Sequence, residues 1–140
     1  MVVDASMALA WCFDGEATAA TDAVLAQVRR DGGVVPPLWR YEVGNALLTA
    51  WRRDRLTEAD VRRLLALLRS LPIDVDADVP DGVELVMSGH DHGLTAYDAA
   101  YLVLAQRRGL ALATLDDVLG EAAARAGVSV LPERAHPGSA

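Results

Sequence analysis

Lysine is missing from this chain of 140 residues: every one of its 13 basic residues is arginine. That absence excludes a phosphate-binding P-loop, which needs a lysine on the phosphates, and Schiff-base chemistry, which needs an amine. A phosphoacceptor receiver domain, which normally needs a lysine as well, falls with them. Cysteine is almost missing too. Cys12 stands alone, so there is no internal disulfide and no cysteine-rich zinc site, and the usage fits a reducing cytoplasm. Long apolar runs are absent, since no stretch free of Asp, Glu, Lys and Arg exceeds nine residues, and nothing in the chain is expected to span a membrane. The first residues carry no basic segment and meet Asp4 just ahead of the first apolar run, so they are not read as a signal peptide. Cationic excess is lacking as well: 20 acidic against 13 basic residues give a net charge of −7. Such a chain is a poor candidate for sequence-independent coating of nucleic acid, which relies on basic surface. It leaves open chemistry that gathers acids around a metal.

What is present is enough apolar material for a core, at 52% hydrophobic against 24% charged residues. With no internal repeat, low-complexity tract or linker, residues 1–134 read as one domain and 135–140 as a flexible tail. Short apolar strands are predicted at 1–4, 34–36, 73–75, 110–114 and 128–131. Helices are predicted between them, with Ser6 capping a short one through Phe13 and Ala17, Ala20, Val24, Leu25 and Val28 forming a stripe over 17–30. Pro37 opens a helix through about Arg53. Thr57 with Asp60 forms a capping-box pattern ahead of Val61, Leu64, Leu65, Leu68 and Leu71. Further helices are expected over 81–92, over 96–108 opened by Thr95, and over 117–126. Strands alternating mostly with helices define an α/β fold with a mainly parallel five-stranded sheet covered on both faces. In such sheets the ligand site lies beyond the carboxyl ends of the strands, where strand order reverses.

Acids fall at that edge. The first strand ends at Asp4 and the fourth runs into Asp116 and Asp117. A plain structural role exists for each: Asp before a helix is a common N-cap. Asp98 lies in TAYDAAYLVLA as the only charged residue between Asp91 and Arg107, and its bland reading is a capping-box acid partnered with Thr95. Glu42, Asn45 and Thr49 share one helix face, either as a solvated stripe or as a face turned toward the site. If Asp4, Glu42, Asp98 and Asp116 converge, repulsion is severe: two like charges 4 Å apart cost about 4 kcal/mol at an effective dielectric near 20. Either their pKa values rise or a cation compensates, and oxygen ligands suit Mg²⁺ or Mn²⁺. His90 and His92 have the wrong spacing for one helical face, and His90, continuing a Val83, Val86, Met87 stripe, is read as packed rather than liganding. The six arginines between 52 and 69 are read mainly as solvated helix surface, and Trp11, Trp39 and Trp51 mainly as core.

Four segments, VVDAS-MALAW, P-x-L-W-x-x-E-V-x-N-A-L, GLTAYDAAYLVLA and LATLDDVL, come in an order that resembles the PIN domain, specifically the VapC-like toxins of type II toxin–antitoxin systems. The resemblance covers nearly the whole chain, and GLTAYDAAYLVLA is its most specific part. It implies an α/β/α sandwich and an endoribonuclease that uses Mg²⁺ or Mn²⁺ to hydrolyse RNA phosphodiester bonds. It carries the acidic quartet onto Asp4, Glu42, Asp98 and Asp116 as catalytic residues and metal ligands. Asn45 matches a polar position that accompanies the glutamate, Asp117 is an alternative to Asp116 if the pattern is offset by one, and Ser6 and Thr114 are accessory candidates. A cognate antitoxin and a homodimer, or a heterotetramer or larger assembly with the antitoxin, are implied as partners. The alternatives are a PIN-like nuclease with a housekeeping RNA or DNA substrate and a catalytically silent binding module. The second would be marked by loss of an acid, and all four are present. An aspartyl-phosphate phosphatase wants a second Asp two residues after the first, where this chain has Ser6.

Overall fold

Each strand here is two or three residues long and, apart from Asp74 in the third, uncharged, and each but the last hands over to a helix. The computed structural model describes residues 1–134; residues 135–140, where the sequence predicts a loose tail, lie outside the described residues. In chain order the elements are β1 (Val2–Val3), α1 (Ala5–Cys12), α2 (Ala19–Asp31), β2 (Gly33–Val35), α3 (Leu38–Arg52), α4 (Glu58–Ser70), β3 (Ile73–Val75), α5 (Gly82–His92), α6 (Ala96–Arg108), β4 (Leu112–Ala113), α7 (Asp117–Arg125) and β5 (Val130–Leu131). All pairings are parallel and the order across the sheet is β3-β2-β1-β4-β5.

That order explains the layering. The chain starts at the centre, steps outward to β2 and β3, then returns to the other side of β1 for β4 and β5. Right-handed crossovers made in opposite directions put their helices on opposite faces. α1 to α4 therefore cover one face and α5 to α7 the other, in agreement with the contacts of α1 with α2 and α3, and of α6 with α5 and α7. The result is the expected three-layer α/β/α sandwich. Its core runs through Val2, Val3, Val35, Leu112 and Ala113 of the sheet to Met7, Leu47, Leu102 and Leu119 of the helices. Among the described residues, no helix is long and apolar enough to cross a membrane.

Several local expectations are corrected. The cap of α1 is Asp4, whose carboxylate accepts from Met7 N, and Ser6 lies inside the helix. α2 begins at Ala19 behind Thr18, leaving Ala17 and Ala20 exposed, while Thr21 takes a buried place by closing a Thr18–Thr21 capping box. Leu65 and Trp51 are also exposed, on the outer faces of their helices. The largest departure is α5. Val83, Val86 and Met87 are 74%, 63% and 51% exposed and His90 is exposed with them, so this stripe is not packed. The buried point of α5 is Gly89, packed on the turn that leads into α6, where a Cβ would come within 2.9 Å of the Leu94 carbonyl oxygen. Gly89 lies inward on that turn, and the Val83–Val86–Met87 face is on the solvent side.

Candidate active site

The reversal of strand order lies between β1 and β4, and register decides what meets there. Val3 pairs with Ala113, so the next residues, Asp4 and Thr114, come opposite each other at the carboxyl edge. Asp4 N donates to the Ala113 carbonyl at 3.1 Å, which holds the two chain ends together. Asp4 is 4% exposed and its carboxylate takes three donors: Ser6 Oγ at 2.7 Å and Met7 N at 3.0 Å on one oxygen, and Thr114 Oγ1 on the other. Ser6 Oγ in turn accepts from Leu115 N at 2.9 Å, and Thr114 Oγ1 from Asp116 N at 3.0 Å. The two accessory hydroxyls thus tie the end of β1 to the turn after β4.

Burial raises the Asp4 carboxyl above its usual range, against the lowering effect of its three donors, and the nearby charge of Asp116 adds to the rise. Asp98, half-buried in the first turn of α6, is also raised, first by burial and then by Asp116 and Asp4. Asp116 caps α7 by accepting from Leu119 N at 3.0 Å. Asp4 and Asp98 thus both feel the charge of Asp116 across the switch point, and Asp98 that of Asp4 as well. Glu42, on α3, joins through Tyr101, whose hydroxyl donates to Glu42 Oε1 at 2.6 Å. The Tyr101 phenol is pushed upward by burial, then by Glu42, and further by the charges of Asp4 and Asp98. Its hydroxyl is the point where influence from α3, β1 and α6 converges.

Tyr101 was missed by reading the sequence as a list of acids. The signal lay in the spacing: it stands three residues after Asp98, on the same side of α6, as the one polar-tipped residue in an otherwise aliphatic run. Two accessory candidates stay outside the network. Asn45 is exposed and makes no side-chain hydrogen bond among the described residues. Asp117 is turned outward, with its side chain 86% exposed and paired to Arg134 at 2.8 Å.

The donors suit a hard divalent cation by chemistry: Asp4 and Asp98 are both harder to ionise for burial and for the charge of Asp116, with no arginine among the groups shifting either. As they stand, no three acidic, histidine or cysteine side chains among the described residues are gathered tightly enough to close on one ion. The two observations are compatible, because mutual repulsion is felt over longer distances than a ligand bond.

Comparison with known proteins places this geometry. The PIN domain family matches residues 1–125, and the chain belongs to that family. It is 33% identical over 126 residues to Ribonuclease VapC3 of Pyrobaculum aerophilum, a match covering 86% of this chain and 92% of the relative. The crystal structure of PAE2754 from Pyrobaculum aerophilum superposes with a TM-score of 0.68 at 32% identity, covering 86% of this chain and 84% of that one.

Proposed function

We propose that residues 1–134 form one nuclease domain, a Mg²⁺- or Mn²⁺-dependent endoribonuclease that acts in the cytoplasm as the toxin of a toxin–antitoxin pair. The observation that carries the reading is the raising of Asp4 and Asp98, each by burial first and then by the charge of Asp116, at the strand switch point of a PIN domain, with no compensating arginine among the causes. Perturbed acids clustered at such an edge are what a functional site built around a cation requires. The similarity to a relative named as a ribonuclease supports RNA as the substrate class.

Asp4, Asp98 and Asp116 would hold the ion, which when bound supplies charge neutralisation on the phosphate and a more acidic water. The remaining work falls to the protein. Tyr101 occupies Oε1 of Glu42 and fixes its rotamer, which leaves Oε2 to orient a water and accept its proton. Ser6 and Thr114 hold both oxygens of Asp4, so its carboxylate cannot rotate freely. The exposed apolar residues Val79, Val83, Val86, Met87 and Tyr97 support association with a second copy or with an antitoxin.

Purified protein freed of partner should cleave RNA with Mg²⁺ or Mn²⁺ and stop when EDTA is added. Cleavage that persists after thorough chelation removes the metal from the reading.

A further inference from the structure

The one described basic side chain that grips the acid-bearing turn comes from the far end of the chain. Arg134, three residues past β5, donates from one guanidinium nitrogen to Asp117 Oδ1 at 2.8 Å and from the other to the Asp116 carbonyl oxygen at 3.0 Å. That carbonyl also accepts Gly120 N at 2.9 Å, the first backbone bond of α7. The fork lies flat on Gly120: a Cβ there would come within 2.6 Å of the guanidinium carbon. Gly120 is buried and helical with no positive φ to explain it, so the close approach of Arg134 is what the missing side chain makes room for.

We propose that Arg134 is a positioning residue for the candidate metal site: by gripping the first turn of α7 it turns Asp117 outward and holds Asp116 toward Asp4 and Asp98. The inference rests on the proposed function and deepens it, because it separates two adjacent acids that the sequence leaves interchangeable. As an energy source the contact is weak, since Arg134 and Asp117 keep 30% and 86% of their side-chain surface in solvent. Its importance is geometric. The planar fork fixes two points of one turn, a backbone carbonyl and the next side chain, and a turn so fixed cannot rotate to exchange Asp116 for Asp117. Lysine has no second donor arm in that geometry. Groups that orient metal ligands typically change metal affinity or activity by roughly 10–100-fold when removed.

The test is Mn²⁺ titration of the full chain by calorimetry, without RNA, beside the Mn²⁺ dependence of cleavage. Arg134→Gln should raise the Mn²⁺ dissociation constant about tenfold and shift half-activation equally, with kcat at saturating Mn²⁺ kept within about twofold. Arg134→Lys should not rescue it. Gly120→Ala should reproduce the shift with both partners still present, because the new methyl displaces the fork. Alanine is the better helix former, so a weakened helix would not be the cause. The double variant should bind Mn²⁺ no worse than Arg134→Gln alone. Asp117→Asn should group with these shifted curves, and Asp116→Asn should lose binding. Unchanged Mn²⁺ binding in both Arg134→Gln and Gly120→Ala, or loss of binding in Asp117→Asn with retention in Asp116→Asn, overturns the proposal. If the wild-type chain itself neither binds Mn²⁺ nor cleaves RNA, it is the functional reading that fails, and the two failures are told apart.

Discussion

Two helices of this protein open with the same four-residue pattern and use it differently. α4 begins Thr57-Glu58-Ala59-Asp60 and α6 begins Thr95-Ala96-Tyr97-Asp98. In both, the threonine hydroxyl accepts from the backbone N–H of the aspartate at 3.1 Å. Only at α4 is the return bond made, with Asp60 accepting from Thr57 N at 2.9 Å to close the box. That bond, more than the neighbouring Arg63, holds the Asp60 carboxyl below its ordinary range. Asp98 makes no such bond. Its carboxylate is half-buried beside Asp4 and Asp116, and burial followed by those two charges pushes it the other way. A carboxylate that caps its own helix is being stabilised by the backbone. Asp98, without that return bond, is instead penalised by burial and by the two charges near it.

The largest effect that tests this contrast is on cleavage. Asp98→Asn should lower the RNA cleavage rate by more than about a hundredfold, beyond the range typical of groups that only orient a ligand. Asp60→Asn should leave the rate unchanged and lower the melting temperature. An active, destabilised Asp98→Asn protein would make both acids helix caps and dissolve the distinction. A smaller effect is expected at Tyr101, which ties α6 to Glu42. Tyr101→Phe keeps the buried ring but frees Glu42 Oε1, and should reduce kcat by roughly tenfold with the fold retained. A full-rate Tyr101→Phe enzyme would mean that Glu42 needs no positioning.

The smallest effect is in stability against pH, measured in metal-free buffer. Asp98 has a native pKa above its ordinary 3.8, so the folded state binds its proton more readily than the unfolded chain does. The stability it contributes is present below 3.8 and is lost as pH rises through the raised native value. Asp98→Asn should therefore melt higher than wild type at pH 7, with the gap closing as pH falls below 3.8. Asp60 has the opposite sign: its contribution is present above 3.8 and is lost as pH falls through the depressed native value. Asp60→Asn should melt lower at pH 7 and converge with wild type in acid. Curves of the same sign for both variants would contradict the contrast.

Much of the fold was legible because it is written locally. Apolar runs of strand length, helix stripes, and threonine or aspartate caps placed the alternation of strands and helices within a few residues. The errors were local choices between adequate alternatives. Asp4 capped α1 instead of Ser6 because its carboxylate was already held at the strand end. The Val83–Val86–Met87 stripe of α5 looked like a core face, yet α5 is buried at Gly89, against the turn into α6, and the stripe lies in solvent.

What the sequence by itself determined was the menu: an α/β chain with acids at strand ends and helix starts, with no lysine and almost no cysteine to divert the chemistry. It could not tell Asp60 from Asp98, since the pattern before each is the same, nor Asp116 from Asp117, which are neighbours. Tertiary structure gives the members of each pair different surroundings. The sheet order β3-β2-β1-β4-β5 set β1 beside β4, and the pairing of Val3 with Ala113 brought Asp4 to Thr114 and within reach of Asp116. Tyr101 then linked Glu42 from the opposite helical layer. The physical reason is range. Propensity and capping act over three or four residues and are readable in the chain, whereas a carboxylate's cost of ionisation depends on which distant charges the packed sheet sets beside it.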